Sequence, residues 1–335
     1  MRWASLHTHT TMSYGDGFGP VASHVNRAHE LGMKAVAFTE HGHTSSHVQA
    51  EKACAKIDNA VKPIYGCEIY MVPDDYENHR RKYHQILLAI DEEGYQNLNR
   101  ICSVANSPMF QYDRFPTVPL HIIEKYNKGL IVTSGCADSL LSCTLLGGKN
   151  LGEKRLEYSD ENYQDAVRLI NRYQDSFGDR YYIEVQRFPG LDRTRVLNPA
   201  FERLSLDTGA GLVGTADVHY PHPEDNKMQR ILHAANRGGG KTIAQADAEW
   251  EYDILLTYPE SDKEILGDLR GTGLSKEACI SAVLNTEKIA EMCNVELPKN
   301  EPIKWPYPGS GLKGEDIVKT GDKTYSSIEE YTMDM

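Results

Sequence analysis

Seven short runs of apolar and β-branched residues recur along the first two thirds of the chain, and their rhythm narrows the fold more than any other feature. They lie at 3–9, 34–39, 62–72, 85–91, 129–134, 181–187 and 212–219, each followed by a turn signal. Stretches with helical spacing fall between them at 20–31, 45–60, 94–105, 139–146, 162–177 and 192–208. Alternation of strand, turn and helix predicts βα units and a mainly parallel sheet. Seven such units suit barrel closure better than a short open sheet, which stays the alternative because periodicity does not separate the two. The rhythm breaks at Pro221, Pro223 and the run Gly238, Gly239, Gly240. A segment at 249–256 and a helix at 275–293 then read as an appended region, and Pro302, Pro306 and Pro308 mark an extended tail. The expected organisation is a barrel over 1–235, a small appended region over 236–297 and a linker-like tail over 298–335.

A chain of 335 residues with 40% apolar content can bury a sizeable core without disulfides. Its seven cysteines are odd in number and include no Cys-x-x-Cys pair, which predicts a reducing compartment. No run reaches the ~18 apolar residues of a membrane span, and the start leads into His7 rather than an apolar signal core. A cytoplasmic protein without membrane contact is expected. The net charge of −12 argues against coating nucleic acid by bulk electrostatics. That acidity is uneven, however: residues 236–335 hold 19 Asp and Glu against 11 Lys and Arg, leaving 29 against 25 for 1–235. Two or three bound divalent cations would make one place in the first part locally positive, so a nucleic-acid substrate is not excluded.

His7-Thr8-His9 is the first chemical signal. On a strand, side chains alternate, so His7 and His9 share a face and can reach one ion together. Asp217-Val218-His219 repeats that spacing at the end of the last run. Glu68 sits late in its run, His41 follows Thr39-Glu40, and Cys136 closes Ser134-Gly135-Cys136. Five of seven runs therefore end in metal-capable groups, and parallel barrels gather such ends at one rim. His84 fits this rule less well, because it begins its run. The remaining histidines, among them His24 and His47, are expected at the surface or in caps, and every cysteine but Cys136 in the core.

In order and spacing, His7-x-His9-x-x-x-Ser13-x-x-Asp16-Gly17, Thr39-Glu40-His41-Gly42, Gly66-Cys67-Glu68, Tyr83-His84, Ser134-Gly135-Cys136 and Asp217-Val218-His219-Tyr220 resemble the polymerase and histidinol phosphatase (PHP) domain. More narrowly they are similar to its version at the amino terminus of the bacterial DNA polymerase III alpha subunit, over about the first 300 residues. The resemblance implies a distorted seven-stranded (β/α)7 TIM-like barrel holding up to three metal ions in nine ligand positions, all filled here. It implies one ion on His7, His9, Glu68 and Asp217, the catalytic group. A second would sit on Glu68, His84 and Cys136, with Glu68 shared, and a third on Asp16, His41 and His219. Imidazole, carboxylate and one thiolate suit Zn²⁺ or Mn²⁺, with Fe²⁺ as a further candidate. Such ions acidify water for attack on phosphorus and neutralise phosphate oxygens, so no separate protein base is needed.

The resemblance implies a metal-dependent phosphodiesterase, a 3′ to 5′ exonuclease of DNA replication working on a single-stranded 3′ end beside the remaining polymerase chain and other replication proteins. The alternatives are a small-molecule phosphomonoesterase of histidinol phosphatase type and a catalytically silent, metal-stabilised scaffold. The family's polymerase members carry a palm domain with paired aspartates, and no Asp-x-Asp follows Gly238. The expectation is a chain without the nucleotidyl-transfer centre, either a piece of a larger or split polymerase or a free-standing nuclease. Arg80, Arg81, Lys82 and Arg187 are candidates for gripping a DNA backbone. Glu184, sharing a face with Gln186, is expected behind the ligands rather than among them. Gly240-Lys241-Thr242 imitates a phosphate-binding loop, but the stretch before it reads as helix where that loop needs a strand.

Overall fold

The computed structural model describes residues 1–74, 82–112, 115–146, 156–237, 242, 244–245, 254–299, 318–320, 323–326 and 330. Its strands are β1 (Ala35–Phe38), β2 (Lys62–Val72), β3 (Tyr83–Ala89), β4 (Gln111–Tyr112), β5 (Phe115–Pro119), β6 (Leu130–Thr133), β7 (Tyr181–Gln186) and β8 (Gly211–Thr215). They form a curled sheet in the order β4-β5-β2-β3-β6-β7-β8, with β1 also paired to β2. The segment 3–9 closes the ring. Ser5 bridges Val36 and Thr8 bridges Val218, and His9 N donates to Val218 O at 2.7 Å while Ala37 N donates to Ser5 O at 2.7 Å. All seven expected runs are therefore staves of one distorted TIM-like barrel.

The sheet departs from the parallel expectation at one stave. β3 runs antiparallel to both β2 and β6, with Tyr70 opposite His84 and Ile86 opposite Thr133, whereas β1–β2, β6–β7 and β7–β8 are parallel. The beginning of β3 thus lies at the rim where its neighbours end. This corrects the objection to His84: in a reversed strand, the first residues occupy the ligand rim.

Period two divides the barrel interior into layers. Ala35 and Ala37, Ile64, Ile86 and Leu88, Ile131, Tyr182 and Val213 form an apolar floor with Ala4 and Leu6. The same faces continue upward as Glu68, His84, Thr133, Glu184 and Asp217. The first segment breaks the alternation through a bend at residue 7, so Leu6 joins the floor and His7 the polar layer above it. Trp3 is fully buried in the outer core, and its Nε1 donates to Gly214 O at 2.8 Å.

Helices α1 (Val21–Glu30), α2 (His47–Ala55), α3 (Glu92–Ala105), α4 (Leu120–Lys125), α5 (Leu140–Leu146), α6 (Asp160–Phe177) and α7 (Asp192–Thr208) surround the staves. α8 (Asn226–Arg237) follows β8, and then come α9 (Asp262–Gly271) and α10 (Lys276–Met292). Met1–Leu297 forms one compact unit, so the appended region is built onto the barrel. Ile289, Ala290 and Cys293 join the floor cluster, and Thr286 Oγ1 accepts from Ala4 N at 3.0 Å. α10 thereby stoppers the barrel end opposite the ligand rim. In the second unit, Pro298–Met335, Val318–Thr320 pairs antiparallel with Lys323–Tyr325.

His24 and His47 are fully buried, not at the surface as expected. His24 bonds Phe18 O and Tyr258 Oη, both at 3.0 Å, and His47 bonds Gly66 O at 2.9 Å. Neutral imidazole with both nitrogens satisfied is as compatible with a core as a hydroxyl. All seven cysteines are free, and every one but Cys136 is buried, as expected. Among the described residues no helix is long and apolar enough to cross a membrane.

Candidate metal centre

Nine side chains from six staves and their connecting loops converge at the rim. His7 Nε2 lies 3.1 Å from His9 Nε2, 3.1 Å from Asp217 Oδ1 and 3.5 Å from Glu68 Oε1. His9 Nε2 is 3.1 Å from Glu68 Oε2. On the other side of Glu68, Oε1 is 2.8 Å from His84 Nδ1, which in turn is 3.5 Å from Cys136 Sγ. Asp16 Oδ2 is 3.0 Å from His41 Nε2 and 3.3 Å from His219 Nε2. Three sets each offer atoms within 4.8 Å of one another: His9, His41 and His219; His7, His9 and Asp217; Glu68, His84 and Cys136.

The partners behind these groups fix which ring nitrogen is bare. His7 Nδ1 donates to Glu184 Oε1 at 2.9 Å, and His9 Nδ1 donates to Ser13 Oγ at 2.9 Å. Ser13 Oγ can accept because its own proton goes to Glu40 Oε2 at 2.6 Å. His219 Nδ1 donates to Asp217 O at 2.8 Å. These tautomers, assigned from the acceptors, turn the Nε2 lone pairs of His7, His9 and His219 inward. Two lone pairs facing each other at 3.1 Å, or a lone pair facing a carboxylate oxygen, repel unless a positive charge lies between them. Glu68 Oε2 and His41 Nδ1 carry the same message: they are 2.7 Å apart, yet both are buried without a hydrogen-bond partner. Close approach without bonding geometry suits ligands that face adjacent ions of one cluster, and the residues present fit divalent metal.

Electrostatics point the same way. Burial opposes ionised Glu68, but His84, His41 and His7 outweigh it and hold the carboxyl well below its ordinary range. Burial likewise opposes charge on His7, and Asp217, Glu184 and Glu68 overcome it to raise the imidazole well above the ordinary value. Against burial, Glu68 and Asp16 push His41 up to about 10, and Asp16 pushes His219 up to about 9. His9 moves the other way, lowered by burial and by His41 and His219. The pocket demands cations and, without metal, gathers protons. Burial and the charges of Glu68, Asp217 and Asp138 push the Cys136 thiol well above its ordinary value, so its thiolate needs a neighbouring cation.

Around the centre, Glu184 sits where a supporting residue was expected. Its Oε1 also accepts from Thr215 Oγ1 at 2.7 Å and its Oε2 from Thr133 Oγ1 at 2.6 Å. Gln186 Nε2 donates to Asp217 Oδ2 at 3.1 Å, which leaves Oδ1 turned toward His7. Asp217 adopts φ 45°, a left-handed conformation uncommon outside glycine, and this aims its side chain back over the rim. Ser13, Glu40, Thr133 and Thr215 were given no role from sequence. Ser13 and Glu40 lie inside the ligand motifs, and Thr215 lies two residues before Asp217, so the period-two rule could have flagged it.

The DNA-grip candidates fare differently. Arg80 and Arg81 lie outside the described residues. Lys82 Nζ sits 3.9 Å from the Tyr70 ring centroid and 3.0 Å from that of Phe115. The Arg187 side chain is 10% exposed and pairs with Glu264 at 2.5 Å and Asp268 at 2.6 Å, so its partner in this structure is α9. A helix, α8, precedes Gly238, as the dismissal of a phosphate-binding loop required.

A model of the PHP domain family matches residues 5–188. DNA polymerase III subunit alpha of Helicobacter pylori is 28% identical over 304 residues, covering 90% of this chain and 24% of that protein. The subunit of Treponema pallidum is 31% identical over 321 residues, with 90% and 24% covered. The chain thus spans about a quarter of the length of these curated relatives. Among solved structures, a Lactococcus lactis histidinol phosphate phosphatase complexed with zinc, L-histidinol and phosphate aligns with a TM-score of 0.35 and 14% identity, covering 69% of this chain and 92% of that one. With more than half of the chain matched by that family's own model, and with the fold the resemblance implied now in hand, the chain belongs to the PHP domain family.

Proposed function

We propose that the protein is a metal-dependent phosphodiesterase, a 3′ to 5′ exonuclease acting on single-stranded DNA as part of a polymerase III alpha-like replication protein, with nucleotidyl transfer housed elsewhere. The observation that carries this reading is the inward convergence of bare His7 and His9 Nε2 atoms, 3.1 Å apart, on a buried carboxylate whose Oε2 lacks a hydrogen-bond partner. His7, His9, Glu68 and Asp217 would hold one ion, Glu68, His84 and Cys136 a second, and Asp16, His41 and His219 a third. Zn²⁺ or Mn²⁺ suits this donor set, and Fe²⁺ is a further candidate. When bound, the ions supply Lewis acidity toward phosphate oxygens and a water acidic enough to attack phosphorus at neutral pH.

The protein's own residues do the positioning. Glu184 and Ser13 hold the two imidazoles in the ligand tautomer, and Gln186 sets the Asp217 carboxylate. Glu68 is 1% exposed, whereas the side chains of Asp16, His84 and Asp217 are 28%, 22% and 16% exposed. The mouth is therefore lined by the outer members of the cluster, and a phosphodiester would approach over them while the floor excludes water from below.

The test is digestion of 5′-labelled single-stranded DNA by purified protein supplied with Mn²⁺ or Zn²⁺. Stepwise shortening from the 3′ end, abolished by chelator and by His9→Ala in a protein of unchanged circular dichroism, is the expected result. Undiminished activity of His9→Ala would reject the site. Rapid phosphate release from histidinol phosphate with intact DNA would favour the phosphomonoesterase, and about three bound ions without hydrolysis of any phosphoester would favour the scaffold.

A further inference from the structure

The loop from His9 to Asp16 is pinned at several points. Thr10 donates through N and Oγ1 to Glu40 at 3.1 and 2.7 Å, and Asp16 N and Gly17 N both donate to Ser13 O, at 3.1 and 3.0 Å. A Cβ at Gly17 would lie 2.2 Å from Thr10 O, and one at Gly15, where φ is +78°, 2.6 Å from the Asn236 side chain. On this fixed turn Tyr14 is 91% exposed, more than any other large apolar or aromatic side chain among the described residues. Its neighbour Ser13 bonds His9, and Asp16, two residues on, enters the ligand cluster, so the ring is anchored within about 7 Å of that cluster along the chain. The other aromatic beside the ligands, Tyr70, is 7% exposed and lies against His41 and His84. Of these two aromatic residues, Tyr14 is the one with an open ring face.

An isolated exposed apolar residue is ordinary on a protein surface. A ring carried on a pinned backbone turn beside a phosphate-ester site is different, because the turn fixes where the side chain starts and a docking base has only two side-chain torsions left to order. We propose that Tyr14 is a stacking platform for the nucleobase adjoining the reacting phosphate, which makes the substrate a nucleotide ester rather than a small phosphomonoester. This rests on the phosphodiesterase reading above and names the substrate feature that it selects.

The experiment uses the full chain loaded with Mn²⁺ and a phosphorothioate-linked, hydrolysis-resistant single strand ending 3′ in 2-aminopurine. Wild type binds and quenches the fluorophore. Tyr14→Ala weakens binding about 10-fold, within the ~5- to 150-fold range of one base–aromatic stack, and loses the quenching. Tyr14→Phe keeps both, and a strand with an abasic 3′ end is bound alike by wild type and Tyr14→Ala. Equal affinity of wild type and Tyr14→Ala for the 2-aminopurine strand overturns the proposal, as does absence of binding by wild type. Hydrolysis of the ordinary strand is read separately, so a wild type that binds and stacks without cleaving would refute the phosphodiesterase reading and leave Tyr14 in its role.

Discussion

Replacing Glu184 should weaken metal binding without touching any proposed ligand. Its carboxylate accepts three hydrogen bonds, from His7 Nδ1 at 2.9 Å, Thr215 at 2.7 Å and Thr133 at 2.6 Å, and is 1% exposed. In Glu184→Gln the amide oxygen can keep the His7 and Thr215 bonds while the amide nitrogen faces Thr133. The tautomer of His7 survives, but a charge-assisted bond becomes a neutral one, a loss of about 1 kcal/mol or roughly fivefold in affinity. Glu184→Ala removes the acceptor altogether, freeing His7 to rotate or to carry its proton on Nε2, and losses at supporting positions of this kind run to about 10- to 100-fold. Competition between the protein and a chromogenic chelator for Zn²⁺ measures both. The expected order is wild type, then Gln, then Ala, with the tightest site affected most. Equal Zn²⁺ affinity in all three proteins, with the fold intact by near-ultraviolet circular dichroism, would refute the argument that Glu184 sets the His7 donor.

Other outcomes follow from the same geometry. Saturating one site with Mn²⁺ or Zn²⁺ at about 100 times its Kd should stabilise the fold by about 2.7 kcal/mol, seen as a rise in melting temperature that chelator reverses; no shift with any divalent ion would count against a metal centre. Gly17→Ala, forced against Thr10 O, should displace the Asp16 loop and lower the metal count by one in a protein that still folds, as read by elemental analysis. Arg187→Leu should destabilise by about 1 to 3 kcal/mol, because it strands Glu264 and Asp268 between the surface and buried regimes; unchanged urea stability with impaired DNA binding would restore Arg187 to the DNA-grip candidates. Burial lowers His47 to about 4, below its ordinary value near 6.5, so the unfolded chain takes up its proton first and stability falls as pH drops from about 6.5 to 4. Urea unfolding should lose roughly 3 kcal/mol across that window from this residue, and His47→Gln should flatten the slope.

Much of this was legible in the residues. The seven staves were visible as apolar runs, and α7 begins and ends where helical spacing put it, at Asp192 and Thr208. The sense of β3 was missed because strand patterns carry no direction. The spacing gave no warning either: the runs at 62–72 and 85–91 leave twelve residues between them, about the dozen that a parallel crossover needs. The bend that turns both Leu6 and His7 inward had no signature, since it comes from pairing with Val36 and Val218. α9 went unseen because its helical face is short and follows a segment without clear period. His24 and His47 were misjudged because composition treats histidine as polar, while a buried carbonyl and a tyrosine hydroxyl can satisfy both ring nitrogens.

Several partners of the first ten residues lie far from them in sequence. Ala4 bonds Thr286, Trp3 bonds Gly214 and Asp262, and Thr8 bridges Val218. Val36, Ala37 and Glu40 are near partners of this stretch, but its closure onto Gly214, Val218 and Thr286 must span some 210 to 282 residues, and His7 and His9 meet Asp217 only with that closure. Ring closure is therefore a long-range event of the kind that slows folding, and until it happens the proposed ligand set lacks Asp217 and His219.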